Sequence, residues 1–131
     1  MIKEKIWSTK EILEAKENPN GWVYEIDFPY RDDSRIPPEA IIGAWKVDEN
    51  GNLTSYYEEN KKYRPIKEVK KELPEYMYAA AKFCKNMWMI EVKKEYEKLF
   101  PRYPEEAIVG YWYIDENGVI TNKFRPASRN D

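Results

Sequence analysis

Histidine is absent from this chain and cysteine occurs once, as Cys84. Those two gaps exclude a disulfide framework, a His/Cys zinc site, a Ser-His or Cys-His nucleophile pair and any His general base. Long apolar runs are missing too. The N-terminal Met1-Ile2-Lys3-Glu4-Lys5-Ile6 is charged and lacks the apolar core of a signal peptide, and no later stretch approaches the roughly 18 to 20 apolar residues of a membrane span. The expectation is a soluble, cytoplasmic protein with no membrane partner. Nor does one sign of charge dominate: 22 Lys and Arg oppose 24 Asp and Glu, for a net charge of −2. No overall positive field draws the chain to nucleic acid. The local cluster Lys61, Lys62, Arg64, Lys67, Lys70 and Lys71 is interrupted by Glu68 and Glu72, a weak nucleic-acid signal.

What is present is apolar and aromatic. The 131 residues suffice for one domain with a single sizeable core. They are 42% apolar, with 5 Trp, 11 Tyr and 4 Phe, far from the composition of a disordered chain.

The chain also repeats itself. PPEAIIGAWKVDENGNLTS at 37–55 aligns without gaps on PEEAIVGYWYIDENGVITN at 104–122, with 11 of 19 positions identical. Outside this block, Gly21-Trp22-Val23-Tyr24-Glu25-Ile26 parallels Met87-Trp88-Met89-Ile90-Glu91-Val92, and Tyr63-Arg64-Pro65 parallels Phe124-Arg125-Pro126. Ile2-Lys3-Glu4 and Ile66-Lys67-Glu68 open the two copies, so one domain, 1–131, is expected to consist of repeats at about 1–65 and 66–126.

Periodicity assigns both copies the same elements. Residues 8–18, opened by Ser8 or Thr9 as N-cap, and 74–87, opened by Pro74, show helical spacing, with Tyr76, Ala80, Phe83, Cys84 and Met87 on one face. Trp22-Tyr24-Ile26 and Trp88-Ile90-Val92 alternate with Val23-Glu25-Asp27 and Met89-Glu91-Lys93, as in half-buried strands with the Trp face inward. Ile41-Gly43-Trp45-Val47 and Ile108-Gly110-Trp112-Ile114 form a second pair of strands, and Asn50-Gly51 or Asn117-Gly118 predicts a type I′ turn into a third. The expected fold is α+β: two α-β-β-β units sharing one mainly antiparallel six-stranded sheet, with the helices on one face.

Several side chains stand out as candidates for binding. Asp-Glu-Asn-Gly at 48–51 and 115–118 is read as turn and not as a calcium loop, since it lacks the bidentate acid at the required distance; no metal site is expected. Val109, Tyr111 and Tyr113 occupy the face of their strand away from the core, where the first copy has Ile42, Ala44 and Lys46. This stripe is either a stacking platform for a ligand or partner, or a surface covered by a helix or a second copy of the chain. Arg64 and Arg125, each between an aromatic residue and a proline, and Arg102 are candidates to grip phosphate or carboxylate, or to form structural ion pairs.

Glu95-Tyr96-Glu97-Lys98-Leu99-Phe100-Pro101-Arg102-Tyr103-Pro104-Glu105-Glu106-Ala107-Ile108-Val109-Gly110 resembles the last motif of bacterial ADP-ribosyltransferase toxins, a Glu-x-Glu or Gln-x-Glu pair before an Ile-Pro-x-x-x-Ile-x-Gly strand. The first copy keeps the strand half as Ile36-Pro37-Pro38-Glu39-Ala40-Ile41-Ile42-Gly43. The resemblance implies that Glu97 would hold the ribose of NAD and stabilise positive charge as nicotinamide leaves, and that Glu95 would assist the acceptor. It covers about 25 residues, and neither the family's Ser-Thr-Ser strand nor its NAD-gripping Arg precedes it.

Three readings follow. The favoured one is a small non-catalytic binding or inhibitor protein, without cofactor, that sequesters a nucleotide-like ligand related to ADP-ribose or binds a protein, using Tyr111, Tyr113, Arg64, Arg102 and Arg125. The alternatives are a mini mono-ADP-ribosyltransferase using NAD through Glu95 and Glu97, and a structural homo-oligomerisation module.

Overall fold

A computed structural model describes residues 6–28, 30, 36–99 and 102–128; the expected start of the first copy at Ile2-Lys3-Glu4 lies outside the described residues. In chain order the elements are helix α1 (Thr9–Glu17), strands β1 (Trp22–Ile26), β2 (Ile41–Val47), β3 (Leu53–Glu59) and β4 (Lys67–Glu68), helix α2 (Glu75–Ala81), and strands β5 (Met87–Val92), β6 (Ile108–Ile114) and β7 (Ile120–Pro126). Ser8 and Pro74 are the N-caps of the helices. At Ser8 the cap is reciprocal: its Oγ accepts from the Glu11 backbone at 3.2 Å while Glu11 Oε1 accepts from the Ser8 backbone at 3.0 Å.

The fold is α+β and its sheets are antiparallel, but the strands divide into a three-stranded sheet, β1-β2-β3, and a four-stranded sheet, β4-β7-β6-β5. The single six-stranded sheet is thereby corrected. Each helix closes a core on its own sheet: Ala15 packs with Val23, Val47 and Leu53, and Met77 packs with Leu73, Trp112, Met89 and Phe124. The short extra strand β4 pairs with β7 through Lys67 and Glu68, and the Val69 N–H next to it donates to the Asn122 carbonyl, in a segment that Pro65 and Pro74 bracket.

The described residues form two compact units. One contains those up to residue 28 together with Ala40–Tyr63; the other contains Tyr30, residues 36–39 and everything from Arg64 onward. Within each, the same local devices recur. Trp45 lies opposite Tyr57 and Trp112 opposite Phe124, with ring centroids 4.8 Å apart in both cases. The Tyr57 and Phe124 rings lie over Gly43 and Gly110, so closely that a Cβ at either glycine would strike the ring. The counterpart of Phe124 is therefore Tyr57, and that of Arg125 is Glu58. The match of Tyr63-Arg64-Pro65 with Phe124-Arg125-Pro126 is a coincidence of letters, because the ring over the glycine defines the position.

Strands β1 and β5 run in the opposite phase to that expected. Val23 is fully buried and Tyr24 is exposed, and Trp88 pairs with Tyr113 whereas Met89 pairs with Trp112. The reason is a hydrogen bond. Trp112 Nε1–H donates to Glu91 Oε1 at 2.9 Å, and Trp45 Nε1–H to Glu25 Oε2 at 3.2 Å. A carboxylate that serves an indole must share its face, which sends Trp22 and Trp88 to the other side. Glu91 is itself buried and receives a second charge-assisted bond from Lys71 Nζ at 2.6 Å.

Two further expectations change in detail. The hairpins are three-residue loops in which Gly51 and Gly118 have φ of 77° while Asn50 and Asn117 do not have positive φ. Gly51 N–H donates to Asp48 O, and Asp48 Oδ1 accepts from the Asn50 and Asn52 backbones; Asp115 does the same for Asn117 and Val119. The side chain of the aspartate thus substitutes for a type I′ turn. Helix α2 stops at Ala81 and turns Met77 and Ala81 inward, while Phe83 is exposed; the face predicted as core lies one residue to the side.

Glu91→Ala leaves the buried indole N–H of Trp112 without an acceptor and strips Lys71 of its partner. An unfolding free energy lower by about 2 kcal/mol is expected from urea denaturation, and Glu91→Gln, whose amide oxygen still accepts, should lose less.

Candidate functional site

Because Met77 and Ala81 of α2 point into the core, Tyr76 and Ala80, spaced by one helical turn, fall in line along the helix flank, and Cys84 follows in the turn after the helix, its N–H donating to the Ala81 carbonyl. Beside them runs β5, the end strand of its sheet, presenting Met89, Ile90 and Val92. The 3-10 run Lys94–Leu99 then brings Glu97 to the end of this trough, and Tyr103 follows before the turn Glu105–Ala107 leads into β6. Together with Met77 these side chains enclose a groove of about 480 Å³.

The lining is apolar except for two phenols and one carboxylate. Burial raises the Tyr76 hydroxyl above its ordinary range, and the negative charges of Glu97 and Glu91 and the neighbouring Tyr103 raise it further. Burial also raises Tyr103. Both phenols therefore stay protonated around neutral pH, as donors at the acidic end of an apolar trough. No metal-binding group of three or more Cys, Asp or Glu occurs among the described residues, and no helix among them is long and apolar enough to cross a membrane.

The other unit supplies a comparison on the same scaffold. Counting from the N-caps Ser8 and Pro74 puts Lys10, Glu14 and Asn18 where α2 has Tyr76, Ala80 and Cys84. The count is anchored at the far ends of the helices as well, since Gly51 lies against Lys16 and Gly118 against Lys82. Capping and packing are thus met in α1 with charged and amide side chains at positions that α2 fills with apolar or aromatic ones.

Of the residues proposed from the sequence as catalytic or ligand-binding, Glu97 lines the groove; Glu95 is exposed on the same 3-10 run and Arg102 is exposed beyond it. The lead-in residues Phe100 and Pro101 lie outside the described residues. Tyr111 is buried at 8% exposure, and Tyr113 is half-buried, packed against Trp88 at 5.4 Å with Lys123 5.9 Å above its ring. The exposed stripe is corrected accordingly: Tyr30 and Glu39, from the segment ahead of β2, belong to this unit and act on Tyr111. Arg125 has no exposed surface. Its Nη1 donates to the Arg64 carbonyl at 2.8 Å and to the Glu39 carbonyl at 3.3 Å, and its guanidinium lies 5.2 Å from the Trp88 ring. Arg64 and Arg125 do meet, but through a main-chain carbonyl inside the unit, with the Arg125 charge turned away from solvent.

Sequence reasoning placed Tyr76, Ala80 and Cys84 in the core and did not single out Met89, Ile90 or Tyr103 as lining. The readable signal was the contrast of α2 with α1, available once the repeat is carried through the helices.

Burial first, and then the nearby Glu39, Tyr30, Tyr103 and Glu105, raise the Tyr111 hydroxyl far above its ordinary value. Folded protein therefore holds this proton at pH values where the unfolded chain, with a Tyr pKa of about 10, has released it. Stability is fully present below that pH and falls above it. Urea denaturation between about pH 9 and 11 should show the decline, by at most about 1.4 kcal/mol per pH unit from this group, and Tyr111→Phe should reduce the slope.

No family model matches the chain, and none of the curated proteins or solved structures does.

Proposed function

We propose that this protein is a non-catalytic binding protein that takes a small, largely apolar molecule into the α2–β5 groove. The carrying observation is the contrast between the helices: the scaffold folds with Lys10 and Glu14 on α1 and Asn18 at its C-cap, so Tyr76 and Ala80 on α2 and Cys84 just beyond it answer a demand other than folding. A volume of about 480 Å³ falls in the usual range for small-molecule sites, roughly 300–1,000 Å³. Met77 and Met89 in the lining adapt to irregular apolar shapes.

A nucleotide-like ligand is the weaker candidate at this groove. Among the described residues its lining contains no Lys or Arg to meet phosphate, and Arg125 and Tyr111 are buried elsewhere in the unit. The transferase alternative keeps one point in its favour, the position of Glu97 in the groove. Release of nicotinamide from NAD, lost on Glu97→Gln, would support it. An oligomer built on the Tyr stripe would have to use Tyr113, since Tyr111 is packed within its own unit.

The test is a fluorescence titration with the neutral probe N-phenyl-1-naphthylamine. Saturable one-to-one binding is expected, weakened at least tenfold by Ala80→Trp, which fills the groove from an exposed helix position and should keep the thermal midpoint. Absence of saturable binding, or equal affinity in the folded variant, overturns the proposal.

A further inference from the structure

The geometry points to a ligand that carries a positive charge: we infer that the groove selects small organic cations, an aromatic or branched apolar body bearing an ammonium group, with the ammonium seated against Glu97 between the Tyr76 and Tyr103 rings. This deepens the proposed function and rests on the groove being the binding site.

Three observations converge. Most of the groove lining from α2 and β5 is apolar, and its acid and phenols are neighbours, since Glu97 and Tyr103 both act on the Tyr76 hydroxyl. Among the described residues no hydrogen bond or ion pair occupies the Glu97 carboxylate, whereas Glu91, the other acid acting on Tyr76, is satisfied by Trp112 and Lys71. Finally, among the described residues no cation lines the trough. Lys71, the ammonium paired to Glu91, is committed to that partner at 2.6 Å.

Each part of such a ligand then has a counterpart. The ammonium donates charge-assisted hydrogen bonds to Glu97, beside the apolar side chains of the lining. The phenol rings of Tyr76 and Tyr103 offer negative faces to the same charge. An anion of the same shape meets a carboxylate at the one polar end, which gives the site a means of rejection as well as attraction. The size of the groove favours a free small molecule over a peptide helix, whose anchors would extend over several turns.

Equilibrium dialysis of three compounds of matched shape tests the inference: 2-(1-naphthyl)ethylamine, 2-(1-naphthyl)ethanol and 1-naphthylacetate, at neutral pH. The amine is expected to bind at least tenfold more tightly than the acid, with the alcohol between. Glu97→Gln should bring the amine-to-alcohol ratio close to one, Glu97→Lys should turn the preference toward the acid, and the exposed Glu95→Gln should keep the native order. Equal binding of all three compounds, or tightest binding of the acid to the native protein, overturns the charge selection while leaving the groove as a binding site. Binding of none of them, together with a failed probe titration, overturns both.

Discussion

The indole of Trp112 is buried together with a carboxylate that accepts its N–H, and much of this structure follows from that pairing. Trp112 sits on an inner strand with 2% exposure, and its N–H has no water to turn to. Glu91, one strand away, supplies the oxygen, and Lys71 balances the charge. The arrangement fixes which residues of β5 face inward, and so decides that Met89 lies on the core side and Ile90 on the other. Both neighbours then reach the groove at the open edge of the sheet. Glu25 and Trp45 repeat the pairing in the three-stranded sheet.

Architecture and candidate function part company at the helices. The ring over glycine, the aspartate-capped hairpin and the indole–carboxylate bond recur in both units with nearly the same geometry. The helix flanks do not recur. Where α1 shows solvent a lysine, a glutamate and an asparagine, α2 shows a tyrosine, an alanine and a cysteine beside two methionines and a strand edge. In a chain with no histidine and one cysteine, the described lining of this groove offers shape, two phenols, the Cys84 thiol and the Glu97 carboxylate.

The sequence made the elements legible because they rest on local rules. Ser8 with Glu11 reads as a cap, alternation reads as strand, and Asn-Gly between strands reads as a hairpin; each of these has its mechanism within a few residues. Strand phase was less legible. Glu25 and Glu91 look like solvent-facing residues until their partners, about 20 positions away, are known. Tyr111 and Arg125 misled in the same way, since their burial depends on Tyr30, Glu39 and Arg64. The groove is assembled from α2, β5 and the stretch before β6, and of the described residues proposed from the sequence as catalytic or binding only Glu97 lines it. Its remaining signal was a difference between two aligned helices, which similarity alone conceals.

The segment ahead of β2 has a consequence for how the chain can be divided. In sequence it belongs to the first copy, yet Tyr30 and Glu39 are part of the second unit. Glu39 accepts from Ser128 near the far end of the chain at 2.8 Å and offers its carbonyl to the Arg125 guanidinium. Severing the chain at Pro65, the natural junction of the repeats, would part the fully buried Arg125 guanidinium from the Glu39 and Arg64 carbonyls, which both lie on the other side of the cut. The unit of heredity suggested by the repeat is thus not the unit of folding. A fragment starting at the second copy would be an incomplete body, with an appetite for the missing strand of main chain that another molecule of the same sequence is equipped to satisfy.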